Sequence, residues 1–158
     1  VKIKKYLMEQ YAIPDYAAEA SAIFAEGNIG RAIKYAENEV FIEMRESVIK
    51  LMSRLDELTE YNVLRKAKEI AEYKENIVEY VDLLQLWLRD VLIYKSTRDS
   101  NMLLFRNEKD VICKQAQKVS YAYLDRALSG IDKVKQSLKL NVNAELVLEV
   151  MLAVLKDM

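Results

Sequence analysis

Histidine is absent from all 158 residues, and three glycines, one proline and one cysteine are nearly as scarce. Without histidine, the usual general base near neutral pH and the commonest metal ligand are both missing. The Glu-x-x-His pair that builds di-iron sites in helical bundles cannot be written with these residues. So few turn-forming residues leave little room for hairpins, which excludes a sheet-rich fold. The lone Cys113 cannot form an internal disulfide and suits a reducing, cytoplasmic setting. No apolar run reaches the ~18 residues that cross a bilayer. With 24 basic and 25 acidic residues, bulk charge marks the chain as neither a nucleic-acid binder nor a membrane binder. There is no Gly-x-x-x-x-Gly-Lys-Ser/Thr loop, so no nucleotide is held through a P-loop. What these absences leave is an all-α protein with no catalytic residues of its own.

What is present fits that class. Leucine, alanine, glutamate and lysine are plentiful, and all favour helices. The length suffices for one domain with a core, or for a small piece followed by one domain. The first residue is Val1, which suggests a fragment of something longer. A first helix is predicted from Ile3 to Tyr11, and Pro14 suits the first position of a second, which runs to a stop at Gly27. Asn28 can cap a third helix through Ala32 and Ala36. At Glu37-Asn38-Glu39 the chain changes from compact and alanine-rich to long and leucine-rich, and a domain boundary is expected between residues 38 and 39.

Beyond that point Phe41, Met44, Val48, Leu51, Leu55 and Leu58 recur at steps of three and four, the seam of a helix in a bundle. Thr59 can cap the next helix. Asn76 with Glu79 reads as a capping box opening the longest one. Ser96 to Asn101 is the one sustained polar loop. Helices from Glu108 to Lys118 and from Ser120 to Leu138 follow, giving seven or eight helical segments in all. The last begins after Asn141-Val142-Asn143 and is apolar on nearly every side, interrupted only by Glu145 and Glu149 before Lys156 and Asp157. Such a helix has to be enclosed by neighbouring helices or by partner chains.

Four local features stand out. Gly27-Asn28-Ile29-Gly30-Arg31-Ala32 joins two helices, and its glycines would let backbone approach a phosphate; the plainer reading is a helix stop followed by a cap. Trp87-Leu88-Arg89-Asp90 places two charges inside an apolar helix, where they form either an ion-pair edge of the bundle or a contact with another subunit. Cys113 has neither a histidine nor a glycine elbow beside it and reads as a small hydrophobe. Glu37, Glu39, Glu43 and Glu46 read as a solvated helix face.

Taken in order, Gly27-Asn28-Ile29-Gly30-Arg31-Ala32, then Trp87-Leu88-Arg89-Asp90-Val91-Leu92, then Asn141-Val142-Asn143 with Leu146, Leu148, Glu149 and Leu152, the chain resembles the bacterial clamp-loader delta-prime family of DNA polymerase III. That resemblance implies an AAA+ ancestry, with residues 1–38 the end of a three-helix lid domain and residues 39–158 a helical collar. The collar would assemble the loader pentamer that places the sliding clamp on primed DNA during replication. It implies partners among the other clamp-loader subunits, with DNA and the sliding clamp reached only through the complex. No cofactor, metal, membrane or small-molecule substrate is implied. The parent would be a subunit of a DNA-directed DNA polymerase holoenzyme, a transferase. ATP-using relatives carry a phosphate-sensing arginine in the turn, but here Gly30 occupies that place and Arg31 comes one residue later, turned by about 100°. Residues expected to anchor an interface or the packing between helices are Trp87, Arg89, Asp90, Asn141, Asn143, Leu148 and Met151. A self-associating module of another AAA+ protein and an adaptor that binds a partner helix remain as alternatives.

Overall fold

The computed structural model describes residues 1–140 and 143–158, with all of their side chains except that of Tyr16. Among these residues every regular element is helical. The chain divides into two compact units, Val1–Ser47 and Val48–Met158. The division falls inside one continuous helix, α4 (Glu39–Ser53).

The first unit holds α1 (Lys2–Tyr11), α2 (Asp15–Phe24), α3 (Ile29–Glu37) and the start of α4. All three short helices pack on one another. Their core is built from Leu7, Ala18, Ala25, Ala32 and Ala36, with Ile3, Ile13, Ile33 and Tyr35 packed around it. Alanine at four of the five central positions lets the helix axes approach closely but supplies little apolar area. Aromatic contacts add to it, since Phe41 stacks on Tyr35 at 4.2 Å between centroids and meets the edge of Phe24 at 6.0 Å. Pro14 lies one residue before the expected place, at the cap of α2, where the missing N–H likewise costs nothing. Asn38 Oδ1 accepts from the amides of Val40 and Phe41 and so caps α4.

The second unit continues α4 and adds α5 (Glu60–Ala71), α6 (Ile77–Thr97), α7 (Lys109–Lys118), α8 (Tyr121–Lys139) and α9 (Ala144–Lys156). Residues Phe41, Met44, Val48, Leu51 and Leu55 of the predicted seam are all buried. The seam does not stay in one helix: α4 stops at Ser53, and Leu55 lies in a 3₁₀ turn, Leu55–Glu57. Thr59 caps α5 as expected, its hydroxyl accepting from the Asn62 amide at 3.2 Å. Asn76 makes no side-chain cap, because residues 74–76 form a 3₁₀ turn that carries the chain straight into α6. α6 is the central element, with Tyr80, Val81, Leu84, Trp87, Leu88 and Val91 fully buried. It packs against α7 and α8, and α9 packs against α5 and α8.

α9 settles how a nearly all-apolar helix is accommodated. Leu148, Met151, Leu152 and Leu155 recur at steps of three, one and three, and all four are buried. On its other side Leu146 and Val150 are 56% and 59% exposed. Leu152→Ala is expected to cost about 2–5 kcal/mol in denaturant unfolding, because it opens a cavity in a closed core. Val150→Ala should stay within about 0.5 kcal/mol. Equal losses at the two positions would contradict this division of the helix.

Candidate assembly interface

Trp87 lies in the middle of α6 with no exposed surface. Its indole N–H donates to Gln115 Oε1 at 2.8 Å, and Gln115 Nε2 donates to the Met52 carbonyl at 2.7 Å. One polar chain therefore ties α6 to α7 and α7 to α4 through groups that would be costly to bury unpaired. The ring of Phe105 stands 5.0 Å from Trp87, tilted by 59°.

Asp90, one turn further along α6, is also fully buried. Its carboxylate accepts from the Leu104 amide at 2.9 and 3.1 Å and from the Phe105 amide at 2.8 Å. Arg89 donates to it at 3.1 Å from a side chain that is 38% exposed. The charge thus clips the segment between α6 and α7 onto the bundle, and Phe105 lands on Trp87 as a result. Burial raises the Asp90 pKa, opposed by the Phe105 and Leu104 amides and by Arg89. Trp87 and Asp90 hold the unit together from within, and Arg89 is the member of the trio that reaches solvent.

The Gly27–Arg31 turn serves as a stop and a cap. Gly27 has φ of +87°, where a side chain would be strained, and Asn28 Oδ1 accepts from the Arg31 amide at 3.0 Å. Gly30 is the second residue of α3, and Arg31 is exposed. Asn143 caps α9, accepting from the Leu146 amide at 3.3 Å. Asn141 lies outside the described residues. Leu148 and Met151 face inward on α9. Among the described residues no group of histidine, cysteine, aspartate or glutamate could hold a metal ion, and no helix is long and apolar enough to cross a membrane.

A groove in the second unit lies between α8 and α9. It has a volume of about 710 Å³, with Ala127, Ile131 and Val134 on one wall and Leu146, Val150 and Val154 on the other. Asp125, Arg126, Lys133 and Asp157 stand at its rim. Beside it the buried Tyr123 hydroxyl donates to the Leu155 carbonyl at 2.6 Å, which fixes the end of α9 against α8. Burial, reinforced by Asp157, pushes the phenol well above its ordinary range and keeps it a donor.

The family model for the C-terminal part of the DNA polymerase III delta subunit matches residues 40–157. The chain belongs to that family. Membership places it in the clamp loader that serves DNA replication, and the all-helical architecture agrees with a clamp-loader C-terminal domain. The family match does not separate delta from delta-prime. Comparison with curated proteins gave no match, and comparison with solved structures gave none.

Two residues that shape this region escaped the sequence reading. Gln115 is a polar residue among Ile112 and Ala116 on the inward face of α7, and that interruption was the available signal. Tyr123 carries no signal at all, since a tyrosine beside Leu124 reads as ordinary core.

The Asp90 clip gives a pH signature. Its pKa is raised on folding, so the native chain keeps a proton that the unfolded chain has released. The stability tied to that proton is complete below the unfolded value and is lost as pH rises through the native one. Asp90→Asn cannot titrate, so in urea unfolding from acid to neutral pH the wild type should lose ground steadily to the variant. A constant difference across the series would mean that the amides offset burial in full.

Proposed function

We propose that this chain is a non-catalytic collar of the DNA polymerase III clamp loader, of the delta-prime type, and that it joins neighbouring subunits through the exposed side of α9 and the α8–α9 groove. Residues 1–38 then form the end of the lid and residues 39–158 the collar. The observation that carries this reading is α9: a helix with almost no polar face, half of it satisfied inside the unit and half left facing water. An exposed apolar wall beside a groove is a feature of interaction surfaces. A specific interface needs on the order of 800 Å² per partner, which helices of 19 and 13 residues can supply.

The delta-prime reading is supported by the Gly27–Arg31 turn. Gly30 brings no side chain to the place of the phosphate-sensing arginine, and the Arg31 amide is engaged by Asn28. A subunit that does not hydrolyse ATP has no need of that arginine. DNA and the sliding clamp are reached through the assembled complex, in keeping with a net charge of −1. No membrane, cofactor or small-molecule substrate enters this role, and its setting is cytoplasmic.

The test is reconstitution with the other clamp-loader subunits, sized by light scattering. Val150→Asp puts a charge on the exposed wall and should weaken the hetero-complex at least about tenfold with unfolding unchanged. Trp87→Ala is a poor probe of contact, since Trp87 is interior and its loss acts through the fold. If Val150→Asp assembles like wild type, the α9 face is not the joint.

A further inference from the structure

Gly130 sits in the middle of α8, a 19-residue helix, and lines the α8–α9 groove. Glycine is the least favourable helix-interior residue after proline. Inside this chain nothing requires it: a Cβ built there meets no atom within 4 Å, and its φ is not in the left-handed region. A glycine that weakens its own helix without relieving any internal crowding points to an object outside the chain that comes close to the backbone at that spot.

We propose that the Gly130 hollow seats a large apolar side chain from one α-helix of a different clamp-loader subunit, laid along the α8–α9 groove. This rests on the collar reading and names the contact within it. The walls are aliphatic, with Ala127 and Val134 one turn to either side of the hollow on α8 and Val150 on α9. They suit a helix that presents apolar residues every three or four positions. The charges at the rim set its direction. Asp125, Asp157 and Arg126 stand toward the end of the groove where Tyr123 holds Leu155, leaving one negative charge in excess there, and Lys133 stands two turns further along α8. The incoming helix therefore carries a basic residue toward the Asp125 end and an acidic one opposite Lys133.

The experiment compares Gly130→Gln and Gly130→Ala in the full chain, measuring thermal unfolding alone and affinity for the other clamp-loader subunits. Both variants improve the helix, and the Cβ that each adds meets nothing within 4 Å, so Tm should hold or rise by up to about 4 °C. Gly130→Gln fills the hollow and should raise the dissociation constant at least about tenfold, with Gly130→Ala closer to wild type. Wild-type affinity in Gly130→Gln, with assembly still sensitive to Val150→Asp, overturns the hollow and leaves the collar reading standing. A wild-type chain that ignores the other subunits overturns the collar reading itself. A wild-type homodimer dispersed by Gly130→Gln overturns the choice of partner in favour of a second copy.

Discussion

A buried carboxylate organises the larger unit. Asp90 is enclosed in the central helix, and the groups that answer its charge are two backbone amides from outside that helix together with its neighbour Arg89. An unanswered charge in that position would be prohibitive, so the segment carrying Leu104 and Phe105 must lie where it does. With that segment placed, Phe105 meets Trp87, and α7 starts in the register that brings Gln115 to the indole. α8 follows directly and packs on α6, and α9 packs on α8. The outward groove is thus downstream of an inward ion. Trp87 and Asp90, which looked like contact chemistry in the sequence, lie inside the unit, and Arg89 reaches solvent.

The division of labour along α9 follows from periodicity and composition. Four buried residues account for its packing against α5 and α8, and the Tyr123 hydroxyl locks its last turn. Nothing in that packing calls for Leu146 or Val150 to be apolar. Surface positions normally tolerate polar residues at little cost to stability, so packing within the unit does not account for an aliphatic wall on the outer side.

How much was legible before folding depended on the kind of signal. The helices were readable because their periodic apolar positions and their caps at Asn28 and Thr59 are local properties of the chain. The seam from Phe41 to Leu55 was readable as buried, but its break after Ser53 was not, because a 3₁₀ turn keeps the apolar spacing while changing the axis. Asn76 and Glu79 had the spelling of a capping box, and a preceding 3₁₀ turn made the cap unnecessary. For the candidate site, Trp87 and Asp90 could be singled out as needing partners. Which partners they have depends on residues 14 to 28 positions away, and no local pattern encodes that. Gly130 escaped notice because a lone glycine in a helix carries meaning only once the space around it is known.

Trp87 is the one tryptophan in the chain, and it sits at the junction of α4, α6 and α7 through Gln115, with Phe105 against its face. Its emission is therefore a native optical reporter confined to residues 48–158, blind to the alanine-cored helices before them. Far-ultraviolet dichroism sees every helix at once. Superposition of the two transitions would mark cooperative unfolding of the whole chain, whereas an earlier loss of dichroism at constant tryptophan emission would report the small unit melting by itself.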